Sequence, residues 1–430
     1  MKRNSKMILD VYEKPPVAKW ILLSLQHVFA MFGATILVPI LVNNAAGSEV
    51  LSIPVALIAS GIGTIIYIIC TRGKSPVYLG SSFAFITPMI VGFGLSGKAG
   101  VFTGLMGVGL VYVIVALIIK MVGSKWLNKL LPPIIVGPMI MIIGLSPAPT
   151  AVSEIGLDAQ SIPWKNVVVA LVAFLTTAIV AIRGKGFFKV IPFLIGILCG
   201  YITAMILGVV DYSAITSAKI ISVPNFYIPF VHYKLNFGAI LTIVPIAIVT
   251  MAEHIGDHKV LSSIIDRDLI EDPGLDKTLM GDGLATFTAG FIGGPANTTY
   301  GENTSVVGMT KVASVWVILL AAIIAIVFGF LGQLTAAISS IPNPVLGGVA
   351  ILLYGFISVN GLKILIQNQV DFSKTKNIVV AATMLVLGLG GAAVSIVTKN
   401  VSVSISGMSL AAIIGILLNL LIPEDKEWKR

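Results

Sequence analysis

Charged residues are scarce in this sequence. Only 11% of its 430 residues are Asp, Glu, Lys or Arg, whereas 57% are hydrophobic, and the mean hydropathy is +1.00. Soluble domains are roughly 25% charged and about 45–50% apolar. A chain with so little polar surface cannot cover itself in water. The composition therefore excludes an ordinary soluble protein and predicts an integral membrane protein.

Cysteine and histidine are also scarce. The two cysteines, Cys70 and Cys199, both lie inside apolar runs, so we predict no disulfide framework and no cysteine metal site. His254 and His258 have the i, i+4 spacing of a helical metal pair, but their surroundings lack the zinc-protease order of residues. We therefore expect no metal and no other cofactor. We also find no nucleophile or phosphate-binding motif, so we do not expect an enzyme.

Long apolar runs fill most of the chain. A membrane-crossing helix needs about 20 apolar residues, because each residue adds about 1.5 Å. Two further apolar segments, 78–92 and 298–310, are shorter and contain small polar residues. With them we predict an all-α membrane protein with 14 transmembrane segments. The twelve long runs are residues 19–42, 50–70, 99–123, 127–147, 164–182, 189–210, 239–258, 278–292, 313–337, 345–367, 377–396 and 407–423.

The distribution of positive charge supports this number of segments. Cytoplasmic loops carry an excess of Lys and Arg. If both termini are cytoplasmic and all 14 segments cross, 23 of the 28 basic residues lie inside and five outside. This division also explains the net charge of +9 without a nucleic-acid partner. The first apolar run follows a polar N-terminus that extends to about Lys19, so we predict that it is retained rather than cleaved as a signal peptide.

The two halves of the sequence resemble each other. Pro133, Gly137 and Gly144 recur as Pro344, Gly348 and Gly355 at a constant offset of 211 residues. Because each half then holds seven segments, an odd number, the halves must be inverted relative to each other. Inverted repeats are common in secondary transporters, whose substrate sites lie at broken helices. The two short segments occupy corresponding places, the third of each half, and are predicted to be broken, with extended stretches leading into them.

These observations divide the chain into five parts. We predict a cytoplasmic N-terminus at 1–18, a first repeat at 19–210, an extracellular loop at 211–238, a second repeat at 239–423 and a cytoplasmic C-terminus at 424–430.

Two carboxylates lie deep in the predicted segments. Glu253 ends an apolar run and Glu302 lies in the broken segment 298–310. A charge inside the membrane costs at least about 2.5–3.5 kcal/mol and usually marks function. We favour a role in binding substrate or protons, and the alternative is a structural clamp between helices. Asp257, one turn after Glu253, is either functional or at the cytoplasmic interface.

Two other ionisable residues lie within the predicted segments. Asp282 lies early in its segment, so it is either functional or a helix-start residue among the lipid headgroups. For His27 we favour a structural hydrogen bond between helices.

Carboxylates without an intramembrane Lys or Arg argue against an anionic substrate. Carboxylates accept hydrogen bonds from N–H groups, and the backbone amides of broken helices donate to carbonyl oxygens. A small, neutral, planar solute with adjacent N–H and C=O groups fits both, and Phe83, Tyr300 and Tyr354 can stack on its ring. A carboxylate in a dry pocket can also take up a proton and carry it with the solute.

The stretches SLQHVFAMFGATILVPIL, YLGSSFAFI, AEHIG and NTTYGEN resemble the nucleobase–ascorbate transporter family, within it the uracil-transporting bacterial branch. The resemblance covers nearly the whole chain. The family signature Gln/Glu-Asn-x-Gly-x4-Thr-Lys/Arg matches Glu302-Asn303 and Thr310-Lys311, but Ser305 stands where the signature has Gly. Glutamate rather than glutamine at the head of the signature is typical of the uracil branch.

The resemblance implies a core domain, 19–123 and 239–337, that moves as an elevator against a gate domain, 124–210 and 338–423. Carried over by position, Glu253 and Glu302 would accept hydrogen bonds from the N–H groups of uracil. The backbone amides of Phe83 and Gly301 would donate to its carbonyls. The residues implied as the pocket lining are Ala34, Tyr300 and Tyr354.

The implied function is proton-coupled uracil uptake across the plasma membrane, often by a homodimer. Glu253, Asp257 and Glu302 are the candidates for proton coupling, although Asp257 stands where the uracil branch often has histidine. Two alternatives stay open: a permease for xanthine or another nucleobase, and an anion transporter of the same architecture.

Overall fold

The structure is a computed structural model, and it describes residues 7–158, 163–237, 240–397, 402–405 and 407–423. The first six residues of the predicted N-terminus and the whole predicted C-terminus, 424–430, lie outside the described residues.

Helices form most of the described chain. Their bounds are α1 Val17–Ala46, α2 Ile53–Cys70, α3 Ile86–Val122, α4 Lys125–Leu130, α5 Pro133–Leu145, α6 Ala148–Ile155, α7 Trp164–Arg183, α8 Pro192–Ile206, α9 Ser213–Ser217, α10 Ile240–Ile243, α11 Ile246–Ile265, α12 Leu275–Ile292, α13 Gly301–Thr310, α14 Val315–Gly329, α15 Gly332–Ser339, α16 Asn343–Gln367, α17 Thr375–Leu389 and α18 Gly407–Leu421. Four short strands accompany them: β1 Leu79–Ser81, β2 Asn297–Thr299, β3 Val394–Val397 and β4 Ser402–Ile405.

The helices have the length and composition of a membrane protein. Within the described residues, six helical segments are long and apolar enough to cross a membrane, and four more apolar helices have 15 residues each. Helix α11, with 20 residues, is also long enough to cross a membrane, but it carries Glu253 and Asp257. These two side chains face the protein interior rather than lipid. A predominantly helical membrane-type fold is therefore present, as the apolar runs predicted.

Both predicted broken segments are broken in the structure. The first consists of β1, a 3-10 turn at Phe83–Phe85 and the start of α3, whose backbone leaves helical geometry at Gly97. With a φ of 62°, Gly97 adopts a conformation that glycine tolerates best. The second consists of β2 followed by α13.

The two broken segments pair with each other in the protein interior. Strands β1 and β2 are antiparallel, with Leu79 opposite Thr299 and Ser81 opposite Asn297. All six strand residues are buried. The pairing satisfies backbone groups that have no water to bond at this depth. Hence the first turns of the 3-10 helix and of α13 start side by side.

The helices pack most extensively within two sets. In the first helix group, α1, α2, α3, α12 and α14 pack against one another, with α10, α11 and α13 attached. In the second helix group, α16 packs against α5, α6, α7 and α8, and α17 packs against α5 and α18. Small residues allow close approach in both groups. In the second, a Cβ on Gly144 would meet the backbone of Tyr354 and Ser358 at 2.5 Å.

The segment that precedes α1 is tied to the first helix group. The backbone of Leu9 and Val11 bonds to residues 311–315, which run from the end of α13 to the first residue of α14. Val11 is fully buried, and Asp10 forms an ion pair with Arg267 at 2.6 Å. This segment therefore connects the ends of α11, α13 and α14.

The loop between α9 and α10 covers the opposite end of the first helix group. The ring of Tyr227 stacks on Tyr233 with centroids 4.8 Å apart, and the Tyr227 amide bonds to the Ile292 carbonyl. Burial, together with the neighbouring Tyr227 phenol, raises the pKa of Tyr233 to about 12. The phenol of Tyr233 is therefore protonated at physiological pH.

Several predicted boundaries are wrong. The predicted segment 127–147 is divided between α4 and α5 at Leu131 and Pro132, because proline cannot continue the helix. The predicted segment 377–396 ends as a helix at Leu389, and β3 occupies its last residues. Strands β3 and β4 form an antiparallel hairpin that we did not predict, so the fold is not strictly all-α.

Candidate functional site

A cavity of about 590 Å³ lies between the two helix groups. Residues of α1, α11, α13, β2 and the 3-10 turn at Phe83 form one wall, and residues of α5, α8 and α16 form the other. At one end the cavity reaches Lys189, Lys363 and Gln367. It is of a size that binds small molecules. Five of the seven predicted substrate-binding residues line it: Phe83, Glu253, Tyr300, Gly301 and Glu302.

Glu253 lies on α11, which begins after Pro245 and presents this side chain to the cavity. Its Oε2 atom is buried and has no hydrogen-bond partner among the described residues. A buried acceptor without a partner is costly, by about 1–3 kcal/mol or more when charged. Such an atom at a cavity wall points to a ligand that donates a hydrogen bond.

Phe83, Gly301 and Glu302 reach the cavity because each lies where a helix begins. Gly301 and Glu302 are the first residues of α13, and Phe83 starts the 3-10 turn before α3. The first N–H groups of a helix have no partner within the helix. The pairing of β1 with β2 brings both helix starts to one cavity. The site thus combines carboxylate acceptors with backbone donors.

Tyr300 holds the two broken segments together. Its hydroxyl donates to the Ser81 carbonyl at 2.9 Å and accepts from the Thr35 hydroxyl at 3.2 Å. Its ring lies directly over Gly80, where a Cβ would be 2.7 Å from the phenolic oxygen and would overlap two ring carbons. Only glycine at position 80 leaves room for this ring. Tyr300 therefore contacts the cavity and also fixes α1 and β1 around it.

Asp257 also lines the cavity, one helical turn after Glu253. Its Oδ2 atom accepts a hydrogen bond from the Thr299 hydroxyl at 2.9 Å. Thr299 is the last residue of β2, two positions before Gly301. Asp257 is thus bonded to the strand that leads into the first turn of α13.

Ala34 and Tyr354 do not line the cavity in this structure. Ala34 is buried within α1. Tyr354 is buried on α16 and contacts Phe83, and the two rings meet edge to face with centroids 6.1 Å apart. Tyr354 therefore packs on Phe83 from the second helix group. The family resemblance implied that both residues line the pocket. The residues of α16 that line the cavity include Leu353, Phe356 and Ile357, but not Tyr354.

Ser82 belongs to the cavity wall, although we did not single it out from the sequence. It lies between the strand β1 and the turn at Phe83, and its hydroxyl is buried without a hydrogen-bond partner in the described part of the chain. Its position directly before Phe83 in the stretch YLGSSFAFI was the only available signal. A serine hydroxyl can donate as well as accept, so Ser82 adds a donor beside the backbone amides.

A polar cluster lies behind the cavity on α11 and α12. Asp282 is fully buried, and its Oδ2 atom lies 3.0 Å from His254 Nδ1. His258 Nε2 lies 2.5 Å from the Tyr67 hydroxyl, and the two imidazoles stack with centroids 4.0 Å apart. Asp282 is therefore not among lipid headgroups. Each histidine has its own polar partner, and within the described ranges no group of three or more His, Cys, Asp or Glu could hold a metal ion.

The predicted structural role of His27 agrees with its contacts. Asn303 Nδ2 lies 3.1 Å from His27 Nδ1 and donates to the His27 carbonyl at 3.1 Å. Asn303 follows Glu302 in α13, and His27 lies on α1. This contact fixes the helix that carries Glu302.

Comparison with known proteins assigns the chain to a family. A model of a permease family matches residues 18–397. The chain is 47% identical to the uracil permease of Bacillus caldolyticus, over 97% of this chain and 95% of the relative. It is 45% identical to the uracil permease of Bacillus subtilis, over 99% of this chain and 97% of the relative.

A solved structure shares the fold. The murine anion transporter Slc26a9 superposes with a TM-score of 0.69 at 11% sequence identity, over 95% of this chain and 68% of that chain. An identity this low shows the fold alone. The sequence relatives and the helical membrane-type fold together lead to one assignment. This chain is an integral membrane protein that belongs to the nucleobase–ascorbate transporter family of permeases.

Proposed function

We propose that this protein takes up uracil together with protons. The observation that carries the proposal is the cavity itself, in which Glu253 and Glu302 lie beside the first turns of two broken segments. Full-length relatives that are uracil permeases support the choice of uracil.

The groups on uracil match the groups on the cavity wall. Uracil is a neutral planar ring with two N–H donors and two carbonyl acceptors. Glu253 and Glu302 supply the acceptors that the N–H groups need. The backbone amides of Phe83 and Gly301 supply donors for the carbonyls, and the Ser82 hydroxyl supplies another. A site built to bond each of these groups rejects rings that lack them, because its buried polar atoms are then left unpaired.

We further propose 14 membrane segments in two inverted repeats, with a core domain at 19–123 and 239–337 and a gate domain at 124–210 and 338–423. The packing of the described helices into the first and second helix groups supports this division. Both termini would be cytoplasmic, in the plasma membrane. The cavity end that reaches Lys189 and Lys363 then faces the cytoplasm, because the positive-inside rule places these lysines there. The structure would be an inward-facing state of an elevator, and the homodimer stays a prediction.

Proton coupling would use the carboxylates of the cavity. Glu253 and Asp257 both face it, and Asp257 is bonded to Thr299 beside the first turn of α13. Protonation of Asp257 would change this bond and so the position of Gly301. The test compares the pH dependence of uracil uptake by wild type and Asp257→Asn. A flatter profile in the variant supports the role of Asp257, and an unchanged profile removes it from the proton route.

Two other classes of substrate, other nucleobases and anions, are the alternatives to uracil. Xanthine or another nucleobase carries similar N–H and C=O groups and would use the same atoms. An anion is disfavoured by the three carboxylates that line the cavity: Glu253, Asp257 and Glu302. The shared fold with an anion transporter does not alter this, because the fold does not determine the site.

Counterflow in proteoliposomes tests the proposal. Vesicles loaded with unlabelled uracil should accumulate labelled uracil, and external uracil should compete better than xanthine or thymine. Sulfate should have no effect. An absence of uracil exchange, or competition by sulfate, would overturn the proposed function.

A further inference from the structure

The end of the cavity that reaches Lys189, Lys363 and Gln367 is called the cavity mouth. At the end of the molecule opposite this mouth, hydrogen bonds join the two helix groups. Asn44, near the end of α1, belongs to the first group. Its Nδ2 atom donates to Glu154 Oε1 of α6 at 2.9 Å and to Asn343 Oδ1 of α16 at 3.0 Å. Both partners belong to the second group. A second bridge joins Thr87 of α3 to Ser146, which follows α5, with 3.3 Å between the hydroxyl oxygens.

The Asn44 bonds and the cavity mouth lie at opposite ends of α16. Asn343 is the first residue of this 25-residue helix, and Gln367, at the cavity mouth, is the last. At about 1.5 Å per residue the two ends are roughly 36 Å apart. The helix groups are therefore hydrogen-bonded to each other at the Asn343 end of α16, and the cavity opens between them towards the Gln367 end. A motion that closes the mouth by rotating or sliding one group must separate Asn44 from Glu154.

Glu154 is an unusual residue to find in such a contact. The residue is 8% exposed, and its Oε2 atom has no hydrogen-bond partner among the described residues. It lies close to α16, where a Cβ on Gly347 would be 2.8 Å from the Glu154 Cβ. When this end is closed, a carboxylate is buried with only half of its hydrogen bonds made, which is unfavourable. When the end opens, water can solvate the carboxylate fully.

We propose that Asn44 and Glu154 form an outer latch that sets the balance between the two conformations of the transporter. The Asn44 hydrogen bond favours the closed outer end, and the incompletely bonded carboxylate favours opening. The two terms oppose each other, so the latch can break in every transport cycle. This inference rests on the proposed two-domain motion, but it does not depend on the identity of the substrate.

The latch predicts opposite effects for its two residues. Asn44→Ala leaves the buried Glu154 carboxylate without its donor, so the outer end should open more often. Glu154→Leu replaces the carboxylate by an apolar side chain of similar size, which favours burial over hydration, so the outer end should stay closed. The double variant has no buried carboxylate and should behave like Glu154→Leu. A contact that only stabilised the fold would not give shifts of opposite sign.

The rate of thiol labelling in the absence of uracil measures the balance between the two conformations. In a background with Cys70→Ala and Cys199→Ala, Ser146→Cys reports on the contact between the groups and Met309→Cys on the cavity. Ser146→Cys removes the Ser146 hydroxyl from its contact with Thr87, so rates are compared only between proteins that carry the same reporter. Asn44→Ala should raise the labelling rate of Ser146→Cys about tenfold, the factor that corresponds to 1.4 kcal/mol, and should lower that of Met309→Cys. Glu154→Leu should keep Ser146→Cys labelling at or below the wild-type rate.

Two controls separate the latch from general damage. Asn43 lies one residue before Asn44, and among the described residues its side chain bonds to the backbone of Val50 and Leu51, just before α2 of the first helix group. Asn43→Ala should therefore leave the ratio of the two labelling rates unchanged. Glu154→Gln keeps an oxygen that can accept from Asn44, and it should not open the outer end as Asn44→Ala does.

The outcomes are distinct. If Asn44→Ala changes neither rate, or if Glu154→Leu opens the outer end as well, the latch is refuted. If the two reporters rise and fall together, the underlying two-domain motion is refuted. If the labelling shifts appear as expected in a protein that exchanges no uracil, the latch stands and the proposed substrate fails.

Discussion

Replacement of Gly80 by alanine is the most direct test of how the site is built. The added methyl group would overlap the Tyr300 ring. Carbon atoms in contact lie about 3.5–4.0 Å apart, so the ring would have to retreat by roughly 1 Å. That movement would strain the hydrogen bonds from Tyr300 to Ser81 and from Thr35 to Tyr300. Each is worth about 1 kcal/mol net, and overpacking adds about 1–3 kcal/mol.

Gly80→Ala should therefore lower both the melting temperature and the affinity for uracil. A shift of Tyr300 displaces the amide of Gly301 next to it, and the loss of one hydrogen bond corresponds to about tenfold in affinity. Thermal unfolding and equilibrium binding of labelled uracil, both on purified protein, provide the measurements. Gly94→Ala is the matched control, because a Cβ on Gly94 would meet no atom within 4 Å and the change should be silent.

A double-mutant cycle identifies the cause. Tyr300→Phe removes the hydroxyl and both of its hydrogen bonds. In that background Gly80→Ala has fewer bonds to disturb, so its cost should be about 1 kcal/mol smaller than in wild type. Equal costs in the two backgrounds would mean that the hydroxyl bonds do not transmit the effect. If Gly80→Ala matched wild type in both stability and binding, the described position of Tyr300 would be wrong.

Three further predictions concern stability, each measured by thermal unfolding of purified protein. Asn303→Ala removes two hydrogen bonds to His27 and should cost about 1–3 kcal/mol; an unchanged melting temperature would contradict this contact. Val11→Asp buries an unpaired charge and should destabilise strongly, whereas Asp10→Asn loses only a partly exposed ion pair, worth up to about 1 kcal/mol; equal effects would show that the segment before α1 is not docked. Gly348→Ala adds a methyl group that overlaps the Ala170 carbonyl and should cost about 1–3 kcal/mol, and a silent change would contradict the packing of α7 on α16.

The features predicted best from the sequence are those that are energetically costly inside a membrane, namely charged side chains and interrupted helices. Glu253 and Glu302 stood out because few charges occur in long apolar runs, and both line the cavity. The two short segments stood out because small polar residues interrupt them, and both contain a strand followed by a helix start. The place of each segment in its half also suggested that they correspond, and in the structure they pair with each other.

The sequence did not predict contacts between residues that are far apart in the chain. Asp282 was predicted to be either functional or a helix-start residue among lipid headgroups; it is fully buried, with His254 3.0 Å away on a neighbouring helix. The family resemblance placed Tyr354 in the pocket lining, but it is buried on α16 against Phe83. Glu154 attracted no attention, because its meaning depends on Asn44, which is 110 positions earlier. Such pairs are set by the packing of helices and not by any local pattern.

The central claim is that Glu253 and Glu302 accept hydrogen bonds from both N–H groups of uracil. Competition binding with uracil, 1-methyluracil and 3-methyluracil tests it most directly, because each methyl group removes one donor and leaves the carbonyls in place. We predict that each methylated ring binds at least about tenfold more weakly than uracil, since each loses a hydrogen bond to a buried carboxyl group. Equal competition by uracil and either methylated ring would contradict the account.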